Sequence, residues 1–203
     1  MNPTVAPTFT ELHPVGPDTP NAELRTFAKE AGYLFCPGLL PPDRVDALAN
    51  VYREYAREAG LMQLDNDLQT DKAKDTRMGL EENPVWVGLQ VKAQNHDAMW
   101  RLGDSRETHD MLDRATDGSS YLFLSYANCC RMVSPHPEIR TKPHQDAHYV
   151  TDPKRHWTVW IPLTDCPREL GGLAVSPGSY RLGLLPHFGK GIVDAGAETP
   201  EDL

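Results

Sequence analysis

The feature that most limits the fold of this chain is a change of hydrophobic period about halfway along it. In the first half apolar residues recur at helical spacing; beyond Tyr121 short apolar runs are interrupted roughly every ten residues. Leu24, Phe27 and Ala28 form one stripe, predicting a helix capped by Asn21 and ended by Gly32. Val45, Leu48, Tyr52 and Tyr55 mark a second helix, running from Pro42-Asp43 to Gly60. Residues 95–103 and 104–115 predict two shorter helices, the second opened by a capping box of Asp104 with Glu107. Tyr33 to Cys36 and Val85 to Ala93 read as strands. Further strands are expected at Tyr121 to Ala127 (extending to Val133), around His144, at Trp157 to Leu163 and at Leu173 to Ser176. The segment from Leu182 to Leu203, broken by Gly183, Pro186, Gly189, Gly191, Gly196 and Pro200, reads as a loop. Helices followed by closely spaced strands predict a mostly β fold with helices: a jelly-roll core buttressed by N-terminal helices. Residues 1–20, with five prolines and no hydrophobic period, form an expected arm, and residues 21–203 a single domain.

Within the strand-rich half, Thr141-Lys142-Pro143-His144-Gln145-Asp146-Ala147-His148-Tyr149 carries the chemistry. On an extended segment side chains alternate, so His144 and Asp146 point the same way. Such a pair can grip one edge of a metal ion and leave the opposite side open. Two histidines and one carboxylate are the ligand set of non-haem Fe(II) oxygenases. A bare His-x-Asp is also what a surface strand shows when both groups merely face solvent. The metal reading gains weight from two segments further along the chain: a Trp-rich strand, then Gly171-Gly172-Leu173-Ala174-Val175-Ser176-Pro177-Gly178-Ser179.

That ordered set resembles the phytanoyl-CoA dioxygenase family of iron- and 2-oxoglutarate-dependent oxygenases. The resemblance rests on His144-Gln145-Asp146 with His148-Tyr149, on Thr158-Val159-Trp160-Ile161-Pro162-Leu163, and on the Gly-Gly-Leu-x-Val-x-Pro-Gly-Ser turn. The run Gly32-Tyr33-Leu34-Phe35-Cys36-Pro37-Gly38-Leu39-Leu40 before a helix is similar to the family's opening. The likeness covers roughly residues 25 to 190. It implies a double-stranded β-helix in which His144 and Asp146 bind Fe(II), with 2-oxoglutarate as cosubstrate and O2 as oxidant. The implied reaction hydroxylates a C–H of a small organic substrate. Related halogenases carry a small residue where this chain has Asp146, so hydroxylation is the expected outcome. The family's matching tryptophan lies against 2-oxoglutarate, which makes Trp160 the expected wall of the cosubstrate site, a core aromatic being the competing reading. Gln90 and Lys92, sharing a face of the expected 85–93 strand, are candidate polar contacts to the same molecule. The family's distal histidine and its 2-oxoglutarate-anchoring arginine have no counterpart here, so the C-terminal strands of the jelly roll are expected to lie beyond Leu203. The alternative is a non-catalytic jelly-roll relative that binds metal or a small molecule without a complete triad.

Other residues compete for a role. His148 shares the expected face but sits about 13 Å from His144 at ~3.3 Å per residue, too far for the same ion on a straight strand. His187 falls where the family has a loop, and His156 at a strand start. Ser179 lacks the Gly-x-Ser-x-Gly elbow of a hydrolase nucleophile. Asp65-Asn66-Asp67 opens like a calcium loop, but Thr70 and Thr76 replace the required glycine and glutamate. Cys36, Cys129, Cys130 and Cys166 read as reduced thiols.

Composition sets the outer bounds. With 203 residues the chain is long enough to bury a proper core, and 39% hydrophobic with 24% charged residues describes an ordinary globular domain. A net charge of -9 argues against nucleic acid or an anionic membrane as main partner, since both demand clustered Lys and Arg. No apolar run approaches the ~20 residues of a membrane span. The N-terminus shows neither the basic start nor the apolar core of a signal peptide, so a cytoplasmic location is expected.

Overall fold

The computed structural model describes residues 9–60, 84–116, 121, 123, 143–148, 150, 156–167, 172–188 and 192–193. Five α-helices dominate them: α1 (Asn21–Ala31), α2 (Pro42–Glu58), α3 (Pro84–Gln94), α4 (Asp97–Gly103) and α5 (Arg106–Thr116). Two 3-10 turns come next, Asp146–His148 and Ser179–Leu182, and then an antiparallel pair of two-residue strands, β1 (His187–Phe188) with β2 (Ile192–Val193).

The helices sort into two cores. In the first, α2 packs on α3 and α4 through Leu48, Tyr52, Ala56, Leu89, Ala93, Met99 and Leu102, with Leu40, Val45, Ile161 and Leu163 along its border. Leu48, Tyr52 and Ala56 recur every fourth residue, which places them in one row along α2. In the second, α1 packs on α5 through Leu24, Met111 and Ala115, and Val15 from the preceding arm completes the cluster. Backbone bonds hold that arm too: Val15 N–H donates to the Phe35 carbonyl at 2.8 Å, beside a parallel bridge between Pro14 and Phe35.

Helix ends follow local chemistry, with partners the sequence does not announce. Pro20 occupies the cap of α1 without a side-chain bond, and Asn21, the expected cap, instead accepts from Arg114 Nε at 2.8 Å. Gly32 closes α1 at φ 76°, and a Cβ there would meet Tyr180 Cδ1 at 2.6 Å; both the left-handed backbone and the close approach require glycine. His96 caps α4, its Nδ1 accepting from Ala98 N–H at 3.1 Å. At α5 the capping box is replaced. Ser105 bonds Thr108, Asp104 meets His109 at 2.7 Å, and Glu107 reaches Arg44 on α2 at 3.0 Å.

The jelly roll is overturned. The described architecture is helical, and its only ladder among the described residues is the short β1–β2 pair. Val85–Ala93, expected as a strand, lies within α3 despite its valines. Leu89 and Ala93, four apart, supply the row that docks on α2, and that burial outweighs β propensity while Val85, Val87 and Val91 stay exposed. Trp157–Leu163 and Leu173–Ser176 have no regular secondary structure, because no neighbouring strand pairs with them among the described residues. The expected 182–203 loop instead contains β1 and β2. The expected strand from Tyr121 to Val133, the 134–137 connection, the calcium-like loop and Cys129-Cys130 fall essentially outside the described residues.

Candidate metal and cosubstrate site

His144 and Asp146 come together, though not as strand neighbours. Pro143 to Gln145 is irregular and Asp146 opens the 3-10 turn, so no regular strand carries the pair. His144 Nε2 lies 3.1 Å from Asp146 Oδ1. The other oxygen, Oδ2, accepts a 2.6 Å hydrogen bond from the Thr158 hydroxyl. Both members of the pair are partly exposed, so an ion could reach them from solvent.

Two further side chains of this turn clamp it to the segment before β1. Gln145 donates from Nε2 to the Gly183 carbonyl at 2.9 Å and accepts at Oε1 from Leu185 N–H at 2.8 Å. His148 donates from Nε2 to the Leu185 carbonyl at 2.8 Å, so that nitrogen faces the clamp. Leu185 is thus held through both its backbone groups. The Gly178 turn is anchored elsewhere: Gly178 N–H donates to the Ala31 carbonyl at 2.7 Å, and Tyr180 hydroxyl donates to that of Lys29. The glycine-rich motif therefore docks on the C-terminal end of α1. A groove of about 370 Å³ beside that contact is lined by Thr26, Lys29, Glu30, Tyr180 and Arg181, none of them a site candidate from the sequence.

Trp160 stands two residues beyond Thr158 and is 46% exposed, so it is no core aromatic. Ile161 and Leu163 hold its segment against the first core. The strand face expected to be shared by Gln90 and Lys92 requires correction, because both lie on α3. On a helix two residues apart they are turned about 200° from each other and share no face. Lys92 also lies against α2, 3.7 Å from Glu58 and 5.1 Å from the centre of the Tyr55 ring.

The chemistry of the side chains fits a divalent ion of the iron type in part: an imidazole and a carboxylate converge, with a hydroxyl bonded to the carboxylate's other oxygen. Among the described residues no group of three or more His, Cys, Asp or Glu is placed to hold a metal. The sequence places Thr158 and Gln145 within the motifs but assigns neither a role at the site; the contacts of their side chains supply one.

A family model described as phytanoyl-CoA dioxygenase matches residues 28–190, most of the chain. The chain belongs to the phytanoyl-CoA dioxygenase family. His144, Asp146, Thr158 and Trp160 all lie inside the matched span, and the family's members are generally Fe(II)- and 2-oxoglutarate-dependent dioxygenases. Two curated relatives, each named 1-deoxypentalenic acid 11-beta-hydroxylase, come from Streptomyces arenae and Streptomyces exfoliatus. Each is 39% identical over 54 residues, which cover 27% of this chain and 19% of the relative. The match thus spans about a fifth of the length of these curated relatives. No solved structure matches the chain. No described helix is long and apolar enough to cross a membrane.

Proposed function

We propose that the protein is an Fe(II)- and 2-oxoglutarate-dependent dioxygenase that hydroxylates a C–H of a small organic substrate. The observation that supports this most is the approach of His144 Nε2 to Asp146 Oδ1, 3.1 Å, in a member of this oxygenase family. His144 and Asp146 would hold the metal. When bound, Fe(II) with 2-oxoglutarate and O2 supplies an oxidant able to break a C–H bond, 2-oxoglutarate leaving as succinate and CO2. For that, His144 must present an unprotonated nitrogen and Asp146 an ionised carboxylate. Trp160 offers an exposed aromatic wall two residues from the Thr158 that braces the carboxylate. The partial likeness to a 1-deoxypentalenic acid 11-beta-hydroxylase makes that acid a substrate to test beside acyl-CoA thioesters.

The test is succinate release and Fe(II) binding, assayed anaerobically for metal and then with O2 across that panel. His144→Ala and Asp146→Ala should each abolish both signals. If Asp146→Ala binds iron and turns over like the parent, the assignment of the pair is wrong.

One observation favours a second reading, a non-catalytic member that binds metal or a small molecule: no third His, Cys, Asp or Glu joins the pair among the described residues. Iron binding without succinate release on any substrate would select it.

A further inference from the structure

The Asp146 carboxylate is divided between two partners. Oδ1 faces His144 Nε2 at 3.1 Å, and Oδ2 takes the Thr158 hydroxyl proton in a 2.6 Å bond. An ionised carboxylate accepts only, with about four lone-pair positions on its two oxygens, so each oxygen keeps capacity for a cation. A hydroxyl donating to a carboxylate at this length is a charge-assisted bond, stronger than a neutral one and more directional. It restrains rotation of the carboxylate about its last torsion, which is otherwise broad and roughly two-fold.

Thr158 is itself held from behind. Its segment carries Ile161 and Leu163, which border the core of α2, α3 and α4. The turn carrying Asp146 is held from a different side, through Gln145 and His148 on Gly183 and Leu185. The Thr158–Asp146 bond therefore links the metal-candidate turn to the segment that rests on the helical core.

We propose that Thr158 is the positioning residue of this site: its hydroxyl fixes the orientation of the Asp146 carboxylate, and so sets affinity for the divalent ion. This rests on the reading of His144 and Asp146 as metal ligands. Thr158 touches no metal in this scheme. It acts through Asp146, as outer-shell partners of metal ligands generally do.

Three variants of the intact protein separate the possibilities, each titrated with Co(II), an air-stable stand-in for Fe(II), and melted without metal. Thr158→Val keeps the shape and removes the donor; it should weaken Co(II) binding about ten- to hundredfold, the range for lost outer-shell partners. Thr158→Ser restores the hydroxyl without the methyl and should recover most of that affinity. Asp146→Ala should lose binding altogether. Metal-free melting should differ little between Thr158→Val and Thr158→Ser, which a purely structural role would not predict. If Asp146→Ala abolishes binding while folded Thr158→Val binds like the parent, the positioning role is overturned and the ligand reading stands. If Thr158→Val fails to fold, Thr158→Ser still decides: a folded serine variant that binds as poorly as Asp146→Ala overturns the proposal. If Asp146→Ala binds normally, the ligand reading itself falls.

Discussion

The helical half and the segments around the site are built on opposite principles. Between α2, α3 and α4, and again between α1 and α5, order comes from buried apolar rows: Leu24 and Leu102 are 0% and 1% exposed. Around His144 the described residues are held by directional polar contacts, from Gln145, His148 and Thr158, while Trp160, Leu173, Leu182 and Leu184 stay exposed. Burial is non-directional and tolerates imprecise aim; hydrogen bonds dictate angle and so fix how a carboxylate such as that of Asp146 is turned. The difference teaches where each kind of damage will register. Changes in the helical half should cost stability, and changes around the turn should cost binding.

The contrast breaks most visibly at matched leucines. Leu102→Ala, inside the first core, should lower unfolding free energy by about 2–5 kcal/mol in urea titration. Leu182→Ala, at a residue 66% exposed, should stay within about 0.5 kcal/mol of the parent. Equal losses would mean that the Leu182 face is covered in solution and the two regions are not so different.

A smaller effect sharpens the second half of the comparison. Gln145→Ala removes the acceptor of Leu185 N–H. A net hydrogen bond of about 1 kcal/mol corresponds to roughly fivefold in an opening equilibrium, so hydrogen exchange at the Leu185 amide should speed up by about that factor. Exchange within α2 should not change. Acceleration spreading into α2 would show that turn and helices open together.

The smallest effect is expected where a polar contact joins helices already held by burial. Arg44 on α2 meets Glu107 on α5 at 3.0 Å, with both side chains partly exposed. Such pairs contribute about 0–1 kcal/mol and are screened by salt. Glu107→Gln should therefore cost at most about 1 kcal/mol at low salt and less at high salt, read from paired urea titrations. A larger, salt-independent loss would give the α2–α5 contact a directional role of the kind reserved above for the site.

Cys36 illustrates how the buried half also mutes reactivity. Burial pushes its thiol above the ordinary value by desolvating the thiolate, in keeping with a small packed residue beside Leu34 and Leu39.

The helices were legible where apolar spacing and end signals agreed. Leu24-Phe27-Ala28 before Gly32, and Leu48 with Tyr52 after Pro42, state their faces in the residues themselves, because helical periodicity is a local property. The closeness of His144 to Asp146 was also legible, but not the backbone beneath it: the pair sits on an irregular stretch running into a 3-10 turn, not on a strand. What spacing could not supply was everything decided by partners far along the chain. Val85 to Ala93 reads as a strand alone and is a helix because α2 offers a groove for Leu89 and Ala93. Asn21 looks like a cap and instead binds Arg114, 93 residues away. Trp157 to Leu163 has the composition of a strand, but a ladder needs a second edge, and composition does not provide one. Thr158 is an ordinary residue until the fold sets its hydroxyl 2.6 Å from Asp146. The sequence alone determined the rows of α1 and α2 and the closeness of a histidine to a carboxylate; tertiary structure alone decided which backbone shape carried that pair and which distant hydroxyl bonded it, because those depend on contacts that no local pattern encodes.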